Sequence, residues 1–297
     1  VCSAAEHHAV LHCVENLKGK VVGVDATGVI DVVELERVLQ EAQQSDDAID
    51  RVAVVSVMAV NNEVGSISPL RQVAKVVRAN APRAVLHTDA VQATCWQDLR
   101  EISKLVDVLS VSAHKFGGPK GMGITMQRLG LEIDPLIVGG GQERDRRSGT
   151  HNVAGIMATA AALRATDSTR DAEVARVTKL RDALVDGVMR EIEDVLETVP
   201  RDKRVAGIAH MCIAGCESES VLYLLDEAMI CASAASACAS GAMEPSHVLS
   251  AMGVDKKYSM GALRMSLGHT TTESEIDRAI NALVGVVRQL RRNKVKA

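Results

Sequence analysis

The feature that most restricts the fold of this chain is a series of short β-branched runs, each closed by polar residues and followed by an amphipathic stretch. The longest, residues 51–60, is Val, Ala and Met interrupted by Ser56 after the leading Arg51, the pattern of a strand covered on both faces. Residues 21–24, 84–88, 106–111 and 122–126 read as further strands. Helices are expected over 8–17, from an Asp31 cap to Ala42, and from Pro69 through Val73, Val76 and Val77. Such alternation makes a layered α/β sheet, mainly parallel, because parallel neighbours need a crossover segment between them.

After Gly149 the texture changes. Residues 153–163 are Ala-rich and helical in pattern, and 171–199 is a long amphipathic stretch, expected as one helix and stopped by Pro200. Strands at 205–213, near Ile230 and at 263–267 then alternate with helices at 219–228 and 272–292. Two units are expected, 1–168 and a smaller 169–297, with the boundary inside 166–170. The chain's 297 residues are ample for two cores.

Composition excludes several functions. Apolar residues are 47% and charged residues 24%, which is a folded globule and not a disordered chain. A net charge of −4 offers no basic surplus for nucleic acid. Aromatic residues are only 1%, too few for a base-stacking platform, so the core must be Val, Leu, Ile, Ala and Met. No apolar run approaches ~18 residues, so no transmembrane helix is expected. Neither nucleic acid nor membrane is an expected partner. The seven cysteines are odd in number and scattered, which points to a reducing intracellular compartment, cytoplasm or mitochondrial matrix, and not to a secreted disulfide framework.

The chemistry gathers where expected strands end. Asn61, Asn62 and Glu63 follow one, Asp89 and Gln92 another, and Ser112, His114 and Lys115 a third, which runs into Gly117-Gly118-Pro119-Lys120-Gly121. Ligands of open α/β sheets sit outside the carboxyl ends of strands. A lysine taken at random is a solvated surface group. Between a histidine and a glycine-rich turn, Lys115 also reads as a Schiff-base lysine for an aldehyde cofactor, with Asp89 as the acid that pairs with a pyridinium nitrogen.

These stretches belong to a longer series: Ala5-Glu6-His7, Asn61-Asn62-Glu63-Val64-Gly65, His87-Thr88-Asp89-Ala90-Val91-Gln92, and Ser112-Ala113-His114-Lys115 with the turn after it. Gly139-Gly140-Gly141-Gln142-Glu143-Arg144, Arg147-Ser148-Gly149-Thr150, Ser236-Ala237-Cys238 and Leu263-Arg264-Met265-Ser266-Leu267-Gly268 complete it. In that order, over nearly the whole chain, they resemble the NifS/IscS-like cysteine desulfurases of the class-V aminotransferase family.

The resemblance implies the fold: α/β, the pyridoxal-phosphate-dependent transferase fold type I. A large cofactor-binding domain with a mainly parallel sheet would cover 1–168, and a smaller α/β C-terminal domain carrying the catalytic cysteine would cover 169–297. It implies pyridoxal 5′-phosphate as cofactor, with Lys115 as its Schiff-base partner and mover of the substrate α-proton. Asp89 would pair with the ring nitrogen, Gln92 would bond the phenolic oxygen, and His7 would stack on the ring. Ser112 and His114 would hold the phosphate, joined by Thr150 from the second subunit of a homodimer. Asn62 and Arg264 would bind the substrate carboxylate. Cys238 would attack the sulfur of L-cysteine, carry it away as a persulfide and release L-alanine. The small residues around it, 232–242, suit a flexible loop. The sulfur would pass to an acceptor, either an iron–sulfur scaffold protein or a tRNA-thiolation partner.

Cys13, Cys95 and Cys231 read as small buried hydrophobes. No metal site is expected: Cys212 and Cys216 lack a second pair, and His7, His8 and His12 lack a partner motif. The chain opens on Val1, and the resemblance starts past the family's Gly-Ala-Thr-Glu-type phosphate segment, so an N-terminally incomplete member is expected. Gly268-His269-Thr270 replaces the usual Gly-Arg-Phe, and Gln142-Glu143-Arg144 is similar to selenocysteine lyases. A selenocysteine lyase and a non-catalytic paralogue acting through partners are the alternatives.

Overall fold

The computed structural model describes residues 1–44, 51–234 and 245–296. Strands β1 (Cys2–Ser3), β2 (Val21–Val22) and β3 (Val54–Ser56) alternate with helices α1 (His8–Asn16), α2 (Val32–Gln44) and α3 (Leu70–Asn80). Asp31 caps α2, its Oδ1 accepting from the N–H groups of Val33 and Glu34 at 2.9 and 3.0 Å. Then follow β4 (Val85–Asp89), α4 (Leu99–Ser103), β5 (Val108–Ser112) and β6 (Gly123–Gln127). The order β2-β1-β3-β4-β5-β6 makes one sheet. Its pairs are parallel except the last, where β6 returns antiparallel to β5. The expected strand over 51–60 is regular only at β3, but its bonding continues. Val57 N–H donates to His87 at 3.1 Å and Ala59 N–H to Asp89 at 2.8 Å, so the buried residues from Val55 to Val60 reach the site in extended form.

A short helix, α5 (Gln142–Asp145), precedes α6 (Val153–Glu191), 39 residues long. Two helices were expected here, 153–163 and 171–199. The chain between them contains neither Gly nor Pro, and several of its polar groups bond within the helix. Ser168 and Thr169 hydroxyls donate back to Ala165 O at 2.9 and 3.1 Å, and Arg170 pairs with Asp167 at 2.8 Å. The helix stops at Glu191, and β7 (Val195–Glu197) follows a left-handed turn at Asp194 (φ 54).

Strand β8 (Ile208–Ile213), helices α7 (Ser218–Glu227), α8 (His247–Ala251) and α9 (Lys256–Ser259), strand β9 (Ala262–Ser266) and helix α10 (Glu273–Lys296) complete the chain. The second sheet, β7-β8-β9, is antiparallel throughout. Near Ile230 there is no strand; Ser233 makes a single bridge to Arg264.

Each sheet has its own core. Ala162 and Leu163 of α6 pack on the large-sheet core, while Val177, Leu180 and Leu184 lie in the small-sheet core with β8, β9 and α10. Trp96 touches both, and it lies so close to Gly207 that a Cβ there would fall 2.0 Å from its Cζ2. Among the described residues no helix is long and apolar enough to cross a membrane.

Candidate active site

Because β3, β4 and β5 run parallel, their carboxyl ends open on the same side. Asp89 is the last residue of β4 and Ser112 the last of β5. A single 3-10 turn, Ala113–Phe116, carries His114 and Lys115 out of β5, and Gly117 ends it in the left-handed region (φ 83). Across from these ends lies β9 of the small sheet. The space between is a cleft of about 1120 Å³. Asn62, Asp89, Gln92 and Ser112 line it, with His114, Lys115, His7 and Arg264.

Each wall is locally organised. Asp89 Oδ1 accepts from Val91 N–H at 2.8 Å, fixing the carboxylate at the strand end. Ser112 Oγ and His114 Nδ1 are 2.8 Å apart, so one donates to the other and the pair keeps one N–H or O–H to offer beside Lys115. The Cys95 thiol donates to the Lys115 carbonyl at 3.3 Å. His7 caps α1, its Nδ1 accepting from Ala9 N–H at 3.2 Å, so the ring is held at the cleft by the helix start. Arg264 Nη1 donates to the carbonyl of Asn62 at 2.8 Å.

Two supporting residues, Asn61 and Glu6, lie in the stretches the sequence marks but were given no role there. Asn61 Oδ1 accepts from Glu63 and Val64 N–H at 2.8 and 2.9 Å, and its Nδ2 donates to Ala5 O at 2.9 Å. This Asx turn, an asparagine just past a buried strand, presents Asn62. Glu6 is fully buried, and its Oε1 accepts from Met58 N–H at 2.6 Å. Burial pushes its carboxyl pKa well up, with the charge of Asp89 adding to the effect and the Met58 bond opposing it. This acid bolts the His7 turn to the extended chain that continues from β3.

Thr150 is exposed and does not line the cleft. It lies between large apolar side chains left open to solvent, Leu129, Leu136 and Val138 before it and Val153 and Met157 after it, with Leu136 98% exposed. Cys238 lies outside the described residues, but the flanks of its segment do not. Ser233 N–H donates to Arg264 O at 3.0 Å and Arg264 N–H to Ser233 O at 2.7 Å. On the far flank Ser246 Oγ donates to Glu63 Oε2, and His247 Nε2 donates to Glu6 O at 3.0 Å. Both flanks are tied to residues that build the cleft.

The other cysteines correct an expectation. Cys13 and Cys231 are exposed, and Cys95, which packs against the large-sheet core where it borders the cleft, is half-buried. Cys212 is buried, which pushes its thiol up to about 12, out of range for a thiolate at neutral pH. Among the described residues no group of three or more His, Cys, Asp or Glu is placed to hold a metal ion.

Comparison with known proteins gives one answer. The aminotransferase class-V family matches residues 1–279. A Mycobacterium tuberculosis protein named IscS-like cysteine desulfurase is 41% identical over 302 residues, covering 100% of this chain and 75% of the relative. Cysteine desulfurase IscS of Methanosarcina thermophila is 37% identical over 297 residues, 98% of this chain and 70% of that protein. A solved NifS-like protein superposes with a TM-score of 0.84 at 35% identity, over 97% of this chain and 74% of that one. A second, from Rickettsia africae, does so with a TM-score of 0.84 at 27% identity, over 97% and 75%.

Proposed function

The chain belongs to the class-V aminotransferase family, whose cysteine desulfurases depend on pyridoxal phosphate, and we propose that it is itself such a desulfurase, converting L-cysteine to L-alanine with the sulfur carried on Cys238. The observation that carries this reading is the convergence of Lys115, Asp89 and Arg264 on one cleft, from two sheets and from distant parts of the sequence.

The donor set fits pyridoxal 5′-phosphate. An acid at one strand end suits a pyridinium N–H (Asp89), Gln92 suits a phenolic oxygen, and the adjacent Ser112 and His114 suit a phosphate. Lys115, on its own turn between them, would be the covalent anchor, and the His7 ring would cover a face. Bound there, the cofactor supplies an aldehyde that condenses with amines and an electron sink for the bonds at the substrate's α-carbon.

The protein's part is positioning and proton movement. Arg264 and Asn62 hold the α-carboxylate, the guanidinium by a paired contact. Lys115 Nζ removes the α-proton and returns protons as alanine forms. The Cys238 thiolate forms the new S–S bond as the substrate's C–S bond breaks, and it leaves as a persulfide for transfer to an acceptor such as an iron–sulfur scaffold protein. A reducing intracellular compartment, which keeps that thiol available, is part of the same proposal. So is a homodimer, which would cover the apolar side chains around Thr150 and bring that hydroxyl to the partner's phosphate site.

The test is release of alanine and sulfide from L-cysteine with a thiol reductant, on wild type and Cys238→Ser in parallel. Equimolar products, lost in the variant while the cofactor remains bound, are expected. Turnover of selenocysteine but not cysteine would reassign the substrate. Retained sulfide release in the variant would move the nucleophile elsewhere.

A further inference from the structure

Past Arg264, strand β9 leads into a four-residue turn, 268–271. Leu267 N–H still donates to Gly207 O at 2.9 Å, and the chain then closes on itself. Thr271 N–H donates to Gly268 O at 3.1 Å, and Thr271 Oγ1 accepts from Gly268 N–H at 3.0 Å. Arg264, Ser266, Leu267, Gly268 and His269 all line the cleft, so the strand end and the turn form one wall of it.

The carbonyls of this turn converge on a single side chain. Arg176 of α6 donates from Nη1 to Thr271 O at 2.7 Å, and from Nη2 to Gly268 O and His269 O at 3.0 and 3.1 Å. Its other edge, Nε and Nη2, meets the two carboxylate oxygens of Glu173 at 3.2 and 2.8 Å. An Arg–Glu pair three residues apart on a helix surface is by itself worth little. The turn carbonyls are a different matter, because they lie 92 to 95 positions away in the sequence. Three carbonyl dipoles aimed at one point repel one another unless a cation stands there. Arg176 does not line the cleft, but Glu173 on one side of it and Gly268 and His269 on the other do. The helix beneath it is firmly seated, since the next residue, Val177, is fully buried in the small-sheet core.

We propose that Arg176 is a positioning residue for substrate binding: its guanidinium sets the 268–271 turn against α6 and so fixes the wall of the cleft that carries Arg264. The proposal rests on the reading of this cleft as the L-cysteine site. A neutral side chain at 176 would leave the three carbonyls without their shared cation, and the turn would exchange one conformation for several. The substrate would then order the wall as it binds, which lowers affinity and leaves the chemistry alone.

Two measurements test this, and Arg176 is only half-buried, so its variants should fold. The first needs no ligand: amide hydrogen exchange, read by mass spectrometry on a peptide spanning the turn. Arg176→Gln should exchange there about tenfold faster than wild type. The second is spectral titration of the cofactor-loaded enzyme with L-alanine. Arg176→Gln is expected to bind it about fivefold more weakly. Arg176→Lys, whose ammonium keeps the charge and three donors, should recover part of that loss. Thr271→Val removes the hydroxyl that holds Gly268 N–H and loosens the same turn from within. Its effect combined with Arg176→Gln should fall short of the product of the two, because both act through one turn. Unchanged exchange, wild-type affinity in Arg176→Gln, or fully multiplicative losses in the double variant overturn the proposal. If wild type itself gives no spectral response to L-alanine, the reading of the cleft fails and the proposal falls with it.

Discussion

Arg264 donates from Nη1 to the backbone carbonyl of Asn62 at 2.8 Å, joining residues 202 positions apart in the sequence. One bond thereby ties β9, an edge strand of the small sheet, to the turn that follows β3 in the large one. The guanidinium is aimed before any ligand arrives, which lowers the ordering cost of binding.

Arg264→Lys should therefore act on substrate affinity more than on chemistry. A lysine keeps the charge but cannot contact both the Asn62 carbonyl and a carboxylate in one plane. KM for L-cysteine is expected to rise roughly 10- to 100-fold, with kcat falling much less. Initial-rate kinetics on the purified variant measure the split, and an unchanged KM would contradict the assignment.

Lys115→Ala removes the amine of the turn between β5 and β6. The variant should fold, since Lys115 is exposed. It should lack the visible absorption of a lysine-linked cofactor, and borohydride should attach no cofactor to the chain. Mass spectrometry of the reduced protein checks this directly, and a cofactor adduct on another lysine would move the anchor.

Gly207→Ala places a methyl group 2.0 Å from Trp96 Cζ2, so either the indole or β8 must shift. Overpacking of this kind costs about 1–3 kcal/mol. Trp96 is the single tryptophan, which makes its own fluorescence the reporter. The emission should change in the folded state and the urea midpoint should fall. A variant with wild-type emission and stability would refute this contact.

Acid should destabilise the fold through its buried histidines. His210 is lowered to about 3 and His87 is lowered as well, both mainly by burial. The unfolded chain then binds more protons below about pH 6.5, and stability drops as pH falls from there, by up to ~1.4 kcal/mol per pH unit for each fully neutral ring. Glu6, raised by burial, works in the opposite direction. Urea unfolding between pH 4 and 8 on wild type and His210→Gln isolates one ring, because Glu6 contributes to both. The variant should show the shallower pH slope; identical slopes would mean that His210 is not held neutral.

Much of this molecule is legible in its local sequence. The Asp31 cap, the Pro69 helix start, the individual strands of the large sheet and the polar strand ends with Asn62, Asp89, Ser112 and Lys115 all show in residue patterns a few positions long. Periodicity and capping report those. Three features of 150–234 were beyond such signals. The single helix α6, the strand β7 in place of a helical end, and the absence of a strand near Ile230 depend on what packs against each segment, since local propensities there are weak. The same holds for Cys13 and Cys231. Residue type favours burial, but their place in the assembled fold decides exposure. Most of all, the sequence carries Asn62, His210 and Arg264 as unrelated residues. Only the register of β8 on β9, and the docking of that sheet on the ends of β3 to β5, places them together, because cross-strand neighbours are selected by long-range pairing and buried packing and not by spacing along the chain.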